Sequence, residues 1–204
     1  ELNRYPDPLQ RNLKEKIAKI KDVSPDQIFL GNGSDEAIDL LLRIFCEPGK
    51  DEILVCPPTY GMYEVAAAVQ NVAVKKVWLD SVSPNSSLAK SNSAKLEFGG
   101  TFQLQPEKIL AAASPQTKLL FLCSPNNPTG NLLDPAAVEF LLQNFPGIVV
   151  VDEAYLDFSG TNSWSQRLPE FPNLVVLQTF SKAWALAGLR LGMAFANPEI
   201  VHYI

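Results

Sequence analysis

The chain is poor in histidine, cysteine and long apolar runs. Its single histidine, His202, excludes histidine-based catalytic triads and most zinc sites. The three cysteines, Cys46, Cys56 and Cys123, are scattered without metal-ligand spacing. This argues against a disulfide framework and indicates a reducing compartment, the cytoplasm. Apolar runs such as residues 148–151 are far shorter than the roughly 20 residues that a membrane span needs.

Positive charge is also scarce, which bears on the class of partner. The sequence has 17 Lys and Arg against 22 Asp and Glu, so its net charge is −5 and there is no basic footprint for nucleic acid. The first residues, ELNRY, contain no apolar segment of a signal peptide. Because the chain starts without Met and its last residues, PEIVHYI, look like the start of a helix, we expect a piece of a longer protein.

Short continuous apolar segments alternate with segments of helical periodicity. This alternation predicts an α/β fold, an α/β/α sandwich in which helices cover both faces of a mostly parallel sheet. Strands are predicted at residues 27–30, 52–56, 72–79, 118–123, 148–151, 174–178 and 192–196. Helices are predicted at 11–20, 35–45, 63–70, 106–113, 134–144 and over the segment that carries Arg190. Residues 81–100, rich in Ser, Asn and Gly, are predicted to be a mobile loop.

The polar motifs of the chain all follow predicted strands. They are the segment 31–35 (GNGSD), Tyr60, Asn127, Asp152 and Lys182. Ligands of parallel sheets collect at the carboxyl ends of the strands, so we expect these residues to share one site. The segment 31–35 leads into a helix, whose free N–H groups suit a phosphate. The same residues could equally be a plain helix cap.

Lys182 lies in the most informative segment, FSKAWALAGLRLG (180–192). It follows an apolar strand, is flanked by small residues, and precedes Arg190 by two predicted helical turns. Partial burial and a nearby cation lower the pKa of an amine, which favours the neutral form that makes a Schiff base. Arg190 suits a phosphate dianion, although a surface arginine on a helix is the simpler interpretation.

Four further side chains fit a flat, charged ring. Asp152 ends a buried strand and needs a partner, which a pyridinium nitrogen, a helix cap or a salt bridge could supply. Tyr155 and Asn127 could donate hydrogen bonds to a ring oxygen, although NPTG is also ordinary turn chemistry. Tyr60 could lie over the ring or pack in the core.

One molecule, pyridoxal 5′-phosphate, accounts for the whole set. Its aldehyde suits Lys182, its ring nitrogen Asp152, its ring oxygen Tyr155 and Asn127, and its phosphate the Gly33 loop, Ser181 and Arg190.

The sequence resembles the large domain of fold-type I pyridoxal-phosphate-dependent aminotransferases, and within them the histidinol-phosphate aminotransferase family. The most specific segments are LNRYPD (2–7), GSDE (33–36), FCEPG (45–49), CPPTYGMY (56–63) and TFSK (179–182). SPNNPTG (124–130) and VDEAY (151–155) are shared more widely. The resemblance covers almost the whole chain except residues 81–100, which look longer than the family usually has there.

The resemblance implies a role for each matching residue. Lys182 would form the Schiff base and shuttle a proton, Asp152 would keep the ring nitrogen protonated, and Tyr60 would stack on the ring. Tyr155 and Asn127 would hold the ring oxygen. The phosphate would be surrounded by Ser34, Asp35, Thr179, Ser181 and Arg190. Tyr5 would reach into the site of the other subunit of a homodimer. The reaction would interconvert L-histidinol phosphate and 2-oxoglutarate with imidazole acetol phosphate and L-glutamate.

The expected domains are an arm at 1–10 and a cofactor-binding large domain at 11–204. The small C-terminal domain, which in this family binds the substrate carboxylate, is expected to be missing, so the chain alone is expected to be inactive. Three alternatives stay open. They are an aromatic-type or aspartate-type aminotransferase or phospho-amino-acid decarboxylase of the same fold, a cofactor-sensing part of a transcription regulator, and a structural fragment that binds no cofactor.

Overall fold

A seven-stranded sheet is the centre of the computed structural model, which describes residues 3–82 and 101–204. In chain order the strands are β1 Ile28–Asn32, β2 Glu52–Val55, β3 Ala73–Lys76, β4 Asp80–Val82, β5 Thr101–Gln103, β6 Thr117–Cys123, β7 Ile148–Asp152, β8 Leu174–Thr179 and β9 Leu191–Ala196. The large sheet has the order β1-β9-β8-β7-β6-β2-β3, and β4 pairs only with β5.

Helices lie on both faces of this sheet. They are α1 Arg11–Lys21, α2 Ser34–Phe45, α3 Met62–Val69, α4 Pro106–Ala112, α5 Pro135–Asn144 and α6 Pro198–Tyr203. Successive residues of a strand point to opposite faces. In β7, Val149 and Val151 accordingly join the core that contains Ile17 of α1, whereas Val150 joins the core that contains Ile38 of α2. In the described ranges, no helix has both the length and the apolarity needed to cross a lipid bilayer.

The direction of the strands decides where the functional residues meet. The pairs β2–β3, β2–β6, β6–β7 and β7–β8 are parallel, whereas β9 is antiparallel to both β8 and β1. The carboxyl ends of β1, β6, β7 and β8 therefore share one edge with the start of β9. The α/β sandwich with a mostly parallel sheet is confirmed, and most helices and strands lie within two residues of their predicted bounds.

The predicted helix around Arg190 is wrong. The chain between β8 and β9 contains only a single 3₁₀ turn, Ala187–Leu189. Ala185 and Arg190 both have a φ of 53°, in the left-handed region that an α-helix cannot contain. The physical reason is the reversal of direction. Phe180 N–H donates to the carbonyl of Leu191 at 3.1 Å, which closes the connection so that β9 can pair antiparallel with β8.

The predicted loop at 81–100 is wrong at its first two residues. Ser81 and Val82 belong to β4, where Ser81 pairs with Phe102 and Val82 with Thr101 of β5. The backbone hydrogen bonds of this short ladder require a partner that is distant in sequence, so local composition gave no sign of it. The remaining residues of the predicted loop, 83–100, lie outside the described residues.

Candidate active site

A single cavity at the shared strand edge collects the predicted site residues. It is lined by Gly33, Ser34, Asp35, Tyr60, Cys123, Asn127, Asp152, Ala154, Tyr155, Thr179, Ser181, Lys182 and Arg190. Every predicted site residue except Tyr5 is in this lining. Tyr5 lies outside it and is fully exposed, at 101%. Geometry thus brings the residues together, while the role of each stays a prediction.

Close packing of glycines shapes the end of the cavity beside α2. Gly33 caps this helix with a φ of 81°, and a Cβ there would lie 2.7 Å from an Nη atom of Arg190. Gly192 of β9 lies so close to the Gly33–Ser34 peptide that a Cβ would overlap its atoms. The guanidinium therefore lies over bare backbone, where it and the helix N-terminus face the same space.

Hydroxyl groups line the cavity where β8 ends. The backbone N–H of Ser181 donates to Thr179 Oγ1 at 3.1 Å, and Thr179 Oγ1 lies 3.0 Å from Ser181 Oγ. Arg190 has no carboxylate partner among the ion pairs of the described residues, and its one side-chain hydrogen bond is a 3.5 Å contact with the carbonyl of Ala187. A cation with no carboxylate partner in the described part of the chain, beside hydroxyls and a helix N-terminus, suits an anion such as phosphate.

Asp152 places a buried carboxyl group in the cavity at the end of β7. It is 2% exposed, and burial raises the pKa of its carboxyl. Its Oδ2 accepts a hydrogen bond of 2.7 Å from the hydroxyl of Tyr63, and its Oδ1 accepts one of 3.0 Å from the backbone N–H of Ala154. Sequence reasoning missed Tyr63. No periodic signal marked it, because Tyr60 lies before α3 and Tyr63 is in its first turn, so the two tyrosines do not share a helix face.

Lys182 follows β8 on the turn that opens onto the cavity. Its Nζ lies 5.4 Å from the centroid of the Tyr155 ring, so the ammonium contacts an aromatic face. The expectation of partial burial is wrong, because Lys182 is exposed. All the residues from 182 to 190 in this segment are exposed, so the turn lies at the surface of the described part of the chain.

Asn126, rather than Asn127, organises the turn after β6. Its side-chain amide donates to the carbonyl of Pro58 at 2.8 Å and to Thr129 Oγ1 at 2.7 Å, and its Oδ1 accepts from Thr59 Oγ1 at 3.1 Å. These bonds fasten the turn to the segment before Tyr60 and leave Asn127 free to line the cavity.

Tyr60 has a hydrogen-bond partner inside the cavity. Its hydroxyl donates to Asp35 Oδ1 at 3.2 Å, and its ring meets the ring of Tyr63 edge to face at 5.6 Å between centroids. Burial, followed by the charge of Asp35, raises the pKa of Tyr60 to about 12. The phenol is therefore a neutral donor at physiological pH.

A protein-family model described as aminotransferase class I and II matches residues 1–204 of this chain. A curated histidinol-phosphate aminotransferase from Parabacteroides distasonis is 54% identical over 199 residues, which are 98% of this chain and 52% of the relative. The chain thus spans about half the length of the curated relatives that it matches.

Solved structures share the fold. The histidinol-phosphate aminotransferase from Clostridium acetobutylicum superposes with a TM-score of 0.79 at 24% identity, over 99% of this chain and 55% of that one. The enzyme of that name from Sinorhizobium meliloti, solved in complex with pyridoxal-5′-phosphate, gives a TM-score of 0.77 at 24% identity, over 98% and 50% of the two chains. At these identities the likeness is one of fold.

Proposed function

Because the chain belongs to the aminotransferase class I and II family, we propose that it forms the cofactor-binding part of a transaminase that uses pyridoxal 5′-phosphate. The proposed reaction interconverts L-histidinol phosphate and 2-oxoglutarate with imidazole acetol phosphate and L-glutamate. The choice of substrates is supported by two curated relatives named histidinol-phosphate aminotransferase, each 54% identical to this chain. The specific sequence segments at 2–7 and 56–63 point the same way.

One observation carries the proposal, namely that an amine, a buried carboxylate and an anion cradle line a single cavity. The amine is Lys182, the carboxylate is Asp152, and the cradle is formed by the Gly33–Ser34 backbone with Arg190. Each of these three groups matches one part of the cofactor. The aldehyde requires an amine, the ring nitrogen an acceptor that is itself negative, and the phosphate a cation beside free N–H groups.

The residues then divide the work of the site. When bound, the cofactor supplies an aldehyde that bonds to the amine and a ring that delocalises negative charge. Lys182 Nζ would take the proton from the α-carbon of the amino substrate, as a general base. Asp152 would hold a proton on the ring nitrogen, while Tyr155 and Asn127 would donate hydrogen bonds to the ring oxygen. Tyr60 would cover one face of the ring.

The assembly is also a proposal. We expect residues 1–10 to act as an arm and residues 11–204 as the large domain of a homodimeric cytoplasmic enzyme. Tyr5 supports this assignment, because a fully exposed aromatic side chain close to the N-terminus is available to a second subunit.

Borohydride reduction followed by peptide mass spectrometry tests the cofactor assignment. After incubation with pyridoxal 5′-phosphate, the peptide that contains Lys182 is expected to carry the reduced cofactor, and Lys182→Ala is expected to abolish this label. Lys50→Ala is the matched control, since Lys50 forms a surface ion pair with Glu47 at 2.6 Å. Label that is spread over several lysines, or that persists in Lys182→Ala, would overturn the assignment.

A panel of amino donors tests the substrate. Histidinol phosphate with 2-oxoglutarate is expected to give the highest kcat/KM in the complete protein that contains this chain. A preference for phenylalanine or aspartate, or carbon dioxide release from a phospho-amino acid, would instead assign the chain to another enzyme of the same fold.

A further inference from the structure

Asp152 has one hydrogen-bond donor on each of its oxygens, and the stronger contact comes from Tyr63. The phenol lies 2.7 Å from Oδ2, and the backbone N–H of Ala154 lies 3.0 Å from Oδ1. A carboxylate that is 2% exposed is disfavoured by burial, so its donors decide both its orientation and its ionisation. A hydrogen bond to the charged form favours that form.

The phenol of Tyr63 is held rigidly in place. Tyr63 is completely buried, and its ring stacks on Phe121 with 4.7 Å between centroids and an interplanar angle of 17°. The edge-to-face contact with Tyr60 restrains it from another direction. Burial, reinforced by Asp152, raises the pKa of Tyr63 well above its usual range, so the hydroxyl stays protonated and remains a donor.

Two charged groups from other elements also face Asp152. Asp35, in the first turn of α2, raises the pKa of Asp152, and Lys182 lowers it. These two effects oppose each other. The ammonium of Lys182 is exposed and therefore screened by solvent, whereas Tyr63 is in direct contact.

Two further titratable groups that interact with Asp152, Cys123 and Tyr60, are neutral. Burial raises the pKa of the Cys123 thiol and of the Tyr60 phenol to about 12 in each case. Neither group therefore carries a negative charge that would oppose the ionisation of Asp152. Among the described neighbours, the hydroxyl of Tyr63 makes the shortest contact that stabilises the ionised form of Asp152.

We propose that Tyr63 is a positioning residue that keeps the Asp152 carboxylate ionised and directed into the cavity, and so acts through it on the ring nitrogen of the cofactor. This inference rests on the proposed function. It adds a residue of α3, outside the cavity lining, to the machinery that holds the cofactor.

The test is the pH dependence of cofactor affinity in Tyr63→Phe. This variant keeps the ring that stacks on Phe121 and removes only the donor. The affinity for pyridoxal 5′-phosphate is expected to fall at low pH, where Asp152 becomes protonated, and this fall is the acid limb of the pH profile. Near the acid limb, the dissociation constant is expected to be about tenfold higher in the variant. The midpoint of this limb should move to higher pH by about one unit, because the carboxylate now protonates more easily. At alkaline pH, where Asp152 is ionised in both proteins, the two affinities should converge.

Two controls isolate the Tyr63–Asp152 contact. Tyr203→Phe removes a phenol that is 68% exposed on α6, and its affinity profile should match that of wild type. In an Asp152→Asn background, adding Tyr63→Phe should produce no shift of the acid limb. Titration of the cofactor itself is common to all the proteins and cancels in the comparison.

The possible outcomes separate this inference from the proposed function. A loss of affinity that is equal at every pH, or no loss, would overturn the role of Tyr63. If wild type binds no cofactor, the proposed function fails. The contact is then tested by a double-mutant cycle of unfolding free energies for Tyr63→Phe and Asp152→Asn, in which the coupling should weaken as the pH falls. If Tyr63→Phe does not fold, a fluorinated tyrosine at position 63, a stronger donor of nearly the same shape, should move the acid limb to lower pH.

Discussion

Trp184 donates its indole N–H to Asp157 Oδ2 at 3.0 Å and thereby joins the segment that carries Lys182 to the segment that carries Tyr155. Lys21, at the end of α1, lies 3.6 Å from Asp157 and 5.6 Å from the centroid of the Trp184 ring, so it contacts both members of the pair. The loop with Lys182 is thus held two residues away from it, by contacts of Trp184 with Asp157 and Lys21.

Trp184→Phe tests this attachment. The variant keeps an aromatic ring against Phe180 and Lys21 but loses the hydrogen bond to Asp157. Since Trp184 is 41% exposed, the free energy of unfolding should fall by only about 1 kcal/mol. Limited proteolysis should cut residues 181–190 faster. Trp78→Phe, at a 63% exposed position, is the control, and equal cleavage rates in the two variants would contradict the attachment.

Gly192→Ala is expected to be strongly destabilising. The added Cβ would overlap the backbone of Gly33 and Ser34, which cannot rotate away as a side chain can. We expect a loss of about 1–3 kcal/mol in unfolding free energy, measured by denaturant titration, together with weaker cofactor binding. Gly188→Ala is the matched control, because a Cβ there would meet nothing within 4 Å. A similar loss in both variants would show that close packing at Gly192 is not the cause.

Arg190→Gln should separate phosphate recognition from recognition of the ring. Removing a charge-assisted donor should raise the dissociation constant of pyridoxal 5′-phosphate by about tenfold to a hundredfold. The affinity for pyridoxal, which has no phosphate, should stay close to that of wild type. Arg43→Gln, which breaks only the surface pair with Asp39, controls for a change of net charge. An equal loss of affinity for pyridoxal 5′-phosphate and for pyridoxal would show that Arg190 does not bind the phosphate.

Glu153 should make folding stability depend on pH. Burial raises the pKa of this carboxyl from 4.5 to about 7, despite hydrogen bonds from Ser163, the Trp164 N–H and Gln178. A folded-state pKa above the unfolded value means that the folded protein binds the proton more tightly, so stability falls as the pH rises from about 4.5 to 7. Each tenfold change in proton affinity is worth about 1.4 kcal/mol, so this effect is on the order of 3 kcal/mol.

Glu153→Gln is the variant that measures this effect. Its neutral amide has nearly the same shape and no proton to bind, so the slope of unfolding free energy between pH 5 and 7 should flatten by about the amount attributed to Glu153. Glu170→Gln, at an exposed carboxyl paired with Arg167, should keep the wild-type slope in this range. An unchanged slope in Glu153→Gln would show that Glu153 is ionised in the folded protein across the whole range.

Much of the architecture could be predicted because the buried faces of helices and strands require apolar residues at regular positions in the sequence. The continuous apolar run of β7 predicted a strand buried on both faces, and Val149 and Val150 do lie in opposite cores. Polar residues that directly follow such strands, Asp152 among them, were predicted to meet at one edge, and they line one cavity. The ladder of Ser81 with Phe102 escaped prediction, because pairing between distant segments leaves no local period.

The amino-acid sequence by itself determined which chemical groups lie at the strand ends. The order of apolar and polar residues along the chain sets both where each strand ends and which side chain follows it. Only the tertiary structure decided how those groups are held. Arg190 has a left-handed backbone because the chain must reverse into antiparallel β9, and Gly192 must be bare because β9 passes against the Gly33 peptide. The bond from Tyr63 to Asp152 joins residues 89 positions apart. Local periodicity reports which face of an element is buried, whereas contacts across elements depend on sheet register and helix placement.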